Sequence, residues 1–175
     1  NMNKKLIVWQ ATGFVLTSAA GYLLHFMYEW SNKNTLIAVF SAVNESVWEH
    51  MKLIFFPLLA FALIQRQFYK KDNNFWNVKL IGISVALILV PVLFYFYNGA
   101  VGKSSAFVNI AIFFIADASA FILEAKLFNC NDLSDKTPAW PFAVLCGIFL
   151  LFAVFTFAAP ELPLFQDPLT KTYGI

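Results

Sequence analysis

Charge is what this sequence has least of. Asp, Glu, Lys and Arg make up 13% of its 175 residues and hydrophobic residues 60%, where an ordinary soluble domain is about a quarter charged and about half apolar. A soluble chain of this length has no means of hiding that much apolar surface, and the mean hydropathy of +0.68 agrees. The water-soluble classes are excluded together, and a net charge of +2 gives no reason to expect a nucleic-acid partner. Cysteine is scarce too: Cys130 lies in a polar loop and Cys146 in an apolar run, with no C-x-x-C to support thiol–disulfide chemistry or a thiolate zinc site. Also missing are H-E-x-x-H, G-x-S-x-G and any run of alternating barrel strands.

What is present is a set of long apolar runs. A helix needs about 20 mostly apolar residues to cross the hydrocarbon of a bilayer. Five runs qualify, at about 6–28, 47–65, 78–97, 105–127 and 140–157. The first begins after Lys4 and Lys5 like a signal peptide, but it continues to about Met27 and is read as a span. Pro91 is a kink candidate, Pro141 suits a first helical turn and Pro160 an end. The fold class expected is an all-α integral membrane protein, a five-transmembrane-helix bundle forming one domain over 1–160. The expected location is a cell (cytoplasmic) membrane, with the lipid bilayer as its partner.

Orientation follows from Lys and Arg near the ends of the spans. Placing the N-terminus inside puts Lys4, Lys5, Arg66, Lys70, Lys71, Lys79, Lys126 and Lys136 on the inner side. Only Lys33, Lys103 and Lys171 then lie outside. Five spans put the C-terminus outside. Thr35 to Val43 is apolar but too short to cross; it follows the N-cap candidate Asn34 and precedes Asn44-Glu45-Ser46. A single helix from Thr35 to Gln65 would be about 46 Å long, well beyond a core of about 30 Å. The segment is therefore read as a short interfacial or re-entrant helix on the outer side. The tail 161–175 is broken by prolines yet keeps Leu164, Phe165, Leu169 and Tyr173, so it is expected to fold over the outer mouth of the bundle.

Ionisable side chains within spans are costly and face the bundle interior or a wet cavity. They are His25, Glu29, Glu45, Glu49, His50, Lys52, Asp117 and Glu124, the first five in the outer third. Gly13, Thr17, Gly21, His25 and Glu29 recur every four residues along one helix face. Its small residues let another backbone approach, in this chain or in a homodimer through Gly13, Thr17 and Gly21. Ser46 to Glu49 has the form of a capping box, with Glu49 reaching back to the Ser46 amide, and Lys52 stands three residues after Glu49. Trp48 is read as an interfacial anchor or a stacking wall. Asp117 is a carboxylate near mid-membrane, protonated or paired with Lys52 if it is only structural.

The stretch N-E-S-V-W-E-H, Asn44 to His50, and the ending L-F-Q-D-P-L-T-K-T-Y-G, Leu164 to Gly174, resemble signatures of a family of small bacterial multi-pass membrane proteins of unknown function. That resemblance carries no catalytic residue with it. The residues themselves leave three functions open. The first is binding or transport of a cation or small polar solute in a pocket of His25, Glu29, Asn44, Glu45, Trp48, Glu49, His50 and Asp117. The second is an intramembrane metal-dependent hydrolase acting on lipid or peptide, with zinc or another divalent cation on His25, Glu29, Glu45 and His50 and with Glu49 as general base. The third is a membrane scaffold or partner subunit. The absence of an inverted repeat weighs against a transporter.

Overall fold

A computed structural model describes residues 4–69, 74–102, 105–129 and 139–175. Cys130, Lys70, Lys71, Lys103 and Lys136, assigned to loops above, lie outside the described residues. Among the described residues six α-helices follow in order: α1 Lys4–Trp30, α2 Thr35–Ala38, α3 Val47–Arg66, α4 Phe75–Val101, α5 Ala106–Leu127 and α6 Trp140–Phe157. A 3-10 turn at Pro163–Phe165 starts the tail, and the described residues contain no strand, only an isolated bridge between Gln166 and Tyr173. All of the helices except α2 are long and apolar enough to cross a membrane.

Local chemistry sets the boundaries. The Asn34 side chain accepts from the amides of Leu36 and Ile37 and starts α2, and the Ser46 side chain accepts from the Glu49 amide and starts α3. Two capped starts twelve residues apart make the broken arrangement, since the chain from Val39 to Ser46 is no longer α-helical. α4 ends at Gly102, whose φ of 72° is the left-handed cap that glycine supplies. It starts at Phe75, three residues before the expected 78, and Lys79 is buried within it.

α3 is the central helix: 61% of its most apolar stretch is buried, against 22–33% in the other four long helices. Ile54, Phe55, Leu58 and Phe61 form the middle of the core, with Ile83 and Ala86 of α4, Ala116 and Ala120 of α5 and Phe152 of α6. The outward faces remain apolar, with Val15, Phe96, Phe107 and Leu150 each more than half exposed. Apolar exposure on that scale suits a lipid environment and is costly in water.

The row on α1 packs within the chain. A Cβ on Gly21 would lie 2.6 Å from the Leu53 carbonyl oxygen of α3, and one on Gly13 would meet the rings of Phe121 and Phe61. The face considered above for a homodimer is thus occupied by the chain's own α3 and α5.

Candidate functional site

The break between α2 and α3 turns Glu45 back over the first turn of α3 and toward the end of α1. His25 Nε2 lies 3.7 Å from one Glu45 carboxylate oxygen, and His50 Nε2 lies 3.5 Å from the other. The two imidazole centroids are 5.5 Å apart. All three side chains are partly exposed, 28% for each histidine and 44% for Glu45. Among the described residues they are a group of three whose ligating atoms lie within 4.8 Å of one another. The His50 ring is fixed from behind, with Nδ1 2.9 Å from the Ser46 carbonyl oxygen. A carbonyl only accepts, so Nδ1 carries a proton and Nε2 is the nitrogen that faces Glu45. His25 Nδ1 is buried with no hydrogen-bond partner among the described residues. Beyond His50 a small apolar recess is lined by Ile54, Val90, Phe94, Ile112 and Phe113.

The remaining candidates lie elsewhere. Glu29 is on the surface, 3.8 Å from Lys33 and one turn from His25. Glu49 points the opposite way from Glu45: its carboxylate is 2.5 Å from Lys52 Nζ and accepts the Val43 amide at 3.0 Å. The capping box is therefore half formed. Ser46 caps Glu49, but the Ser46 amide is taken by the Asn44 side chain at 2.9 Å, which leaves the Glu49 carboxylate for Val43 and Lys52. Lys52 uses all three of its donors, on Glu49, on the Ala38 carbonyl at 2.8 Å and on the Thr156 hydroxyl at 2.9 Å. Both Glu49 contacts fall on one carboxylate oxygen, Oε2, and hold Glu49 in an ion pair with Lys52. Trp48 packs among Phe152, Phe155 and Phe165, away from the imidazoles. Asp117 is 2.9 Å from the Thr17 hydroxyl and 2.8 Å from that of Ser18, with no contact to Lys52.

The tail holds the loop that carries Glu45. Asn44 donates to the Gly174 carbonyl at 3.1 Å, and the Glu45 amide donates to Asp167 at 3.4 Å. Gly174 has φ of 60°, and a Cβ there would come 2.8 Å from the Thr156 carbonyl oxygen, so both conformation and space require glycine. Burial pushes the Asp167 carboxyl up, but the amides of Leu169, Thr170 and Glu45 outweigh it and hold the group below the usual carboxylate range.

A second polar cluster, at the opposite end of α1 and α3, was not expected. Lys79 Nζ is 2.5 Å from Glu124, and Gln10 donates to the same carboxylate at 3.2 Å and accepts from Gln65 at 3.2 Å. The Lys79 ammonium also sits 5.7–5.9 Å from the ring centres of Phe61, Phe75, Phe121 and Phe128. The available signal was Glu124 itself: an acid at that depth needs a cation, and Lys79 is the lysine at the start of the neighbouring span. Phe113 packs at Gly21 on α1, between His25 and Thr17; Phe121 and Phe61 fill the space at Gly13, between Thr17 and Gln10.

No curated protein and no solved structure matches this chain. A family profile matches residues 1–175 throughout, and the chain belongs to that family, DUF6512, a family of unknown function.

Proposed function

We propose that this chain is a multi-pass membrane protein of the cell membrane that binds a cation or small cationic solute at its extracytoplasmic end. In this reading all of the long helices cross the bilayer, the N-terminus is inside and the tail 161–175 covers the outer mouth. Removing the buried Lys79 from the earlier count leaves seven inner Lys and Arg residues against three outer ones, and the bias stands. The observation that carries the reading is the meeting of His25, Glu45 and His50, drawn from α1, the α2–α3 loop and α3, around one carboxylate with no lysine or arginine of the described residues on it. The buried acids of the helices, Glu49, Asp117 and Glu124, each have hydroxyl, amide or ammonium partners in contact. The phenylalanines between the polar levels of α1 favour a fixed binding site over an open path through the bundle.

Two measurements test this. In a chain with Cys130 and Cys146 replaced, Glu29→Cys and Thr170→Cys should react from outside intact cells with a membrane-impermeant maleimide, and Lys126→Cys should not. Purified protein should show saturable stabilisation by some member of a panel of metal ions and small amines, lost in Glu45→Gln. Labelling of Lys126→Cys alone would reverse the topology, and a panel with no Glu45-dependent member would remove the function.

A further inference from the structure

We infer that the ligand of this pocket is a divalent transition-metal ion, zinc first, held by His25 Nε2, Glu45 and His50 Nε2 with a fourth position open. The inference rests on the binding function proposed above and narrows it to one chemical class.

Spacing is the first argument. The nitrogen–oxygen separations of 3.5 and 3.7 Å are too long for hydrogen bonds. Zinc binds imidazole and carboxylate at about 2.1 Å, and a tetrahedron with such bonds has edges of about 3.4 Å. Each imidazole therefore stands about one coordination edge from a carboxylate oxygen, His25 from Oε1 and His50 from Oε2, and a small turn of the carboxylate presents a single oxygen to both. The ligating atoms of the two imidazoles lie within 4.8 Å of each other, and a shift of about 1.4 Å at most brings them to a tetrahedral edge.

The second argument is orientation. Metal-bound histidines characteristically donate their other ring nitrogen to a carbonyl or carboxylate, which fixes the tautomer. His50 does this through Ser46, and the next residue back, Glu45, supplies the carboxylate. One short segment thus provides two ligands and the partner that aims one of them. His25 has no such partner on Nδ1 among the described residues, and its Nε2 meets only the Glu45 carboxylate, at 3.7 Å.

Ligand type decides the metal. Two imidazoles and one carboxylate suit zinc and its transition-metal neighbours, while calcium and magnesium take all-oxygen shells. Three protein ligands leave a coordination position for water or an exogenous group, as in catalytic rather than structural zinc sites. The partial exposure of all three side chains leaves that position reachable.

The test is equilibrium dialysis of the full chain in detergent or nanodiscs with Zn2+, and with Co2+ as a spectroscopic substitute. One zinc per chain is expected, together with the visible absorption of four-coordinate Co2+. His50→Ala and Glu45→Gln should each lower zinc affinity by more than the about 100-fold that loss of an outer partner costs, and Glu29→Gln should leave it unchanged. Because Glu45→Gln is isosteric and lies in a loop, it remains informative if His50→Ala misfolds. Zinc bound equally by Glu45→Gln would overturn the assignment. So would Glu45-dependent binding of an amine or alkali ion without zinc or cobalt, although the pocket of the preceding proposal would stand. No cation binding of any kind would end both.

Discussion

Glu45 and Glu49 are four residues apart at the start of one helix and lead opposite lives. Glu49 is enclosed: its carboxylate meets Lys52, whose remaining donors are spent on the Ala38 carbonyl and Thr156. Glu45 is about half exposed and faces two imidazoles at distances where neither is hydrogen-bonded to it. The first arrangement is complete and ties α2, α3 and α6 together. The second is incomplete without a further group. Burial and satisfied valence, rather than residue type, separate the enclosed acid from the open one.

The comparison breaks most sharply at Lys52. Glu49→Ala would leave that ammonium buried and unpaired, at a cost of about 3–5 kcal/mol, whereas Glu45→Ala should cost under about 1 kcal/mol because its carboxylate is solvated. Thermal unfolding of both variants in one detergent checks the contrast, and equal losses would dissolve it. Gly21→Ala comes next. The added methyl presses on the Leu53 carbonyl and the Phe113 ring and should cost about 1–3 kcal/mol. It should also shift α1, and with it His25, weakening cation binding while the Glu49–Lys52 pair persists.

Asp167 gives a smaller effect that depends on pH. Its carboxyl is held below the ordinary range, so the stabilisation is fully present above about pH 4, the unfolded value. It is lost as pH falls through the lower, folded value. Asp167→Asn should remove that acid-limb dependence and about 1 kcal/mol of stability at neutral pH, read from melting temperature against pH. A wild-type acid limb retained in the variant would relieve Asp167 of this role. Glu29→Gln should do least. Its contact with Lys33 is exposed and 3.8 Å long, so stability should change by less than about 0.5 kcal/mol.

Helix positions were legible because periodicity, length and capping are local. The run 140–157 is α6 to the residue, and Asn34 and Ser46 cap the helices they precede. The composition of the candidate site was only half legible. His25, Glu45 and His50 were named, but so were Glu29, Glu49, Trp48 and Asp117, which have other partners. Each was placed by depth along a helix, and depth says nothing about rotation about the axis or competition for a partner. Glu49 was assigned to the Ser46 amide, which Asn44 reaches instead. Lys79 was counted among the inner charges near the span ends, whereas it is buried against Glu124.

Composition and run length by themselves determined an all-helical chain with five helices fit for lipid, since both depend only on how much apolar surface each segment carries. Which acids close on lysines, which small face is filled from within and which three side chains meet at the end of the bundle were decided by the tertiary packing. Those outcomes turn on contacts such as His25 with Glu45, Lys79 with Glu124 and Gly13 with Phe121, far apart in sequence, and a hydrogen bond or a coordination edge is made or lost over about 1 Å.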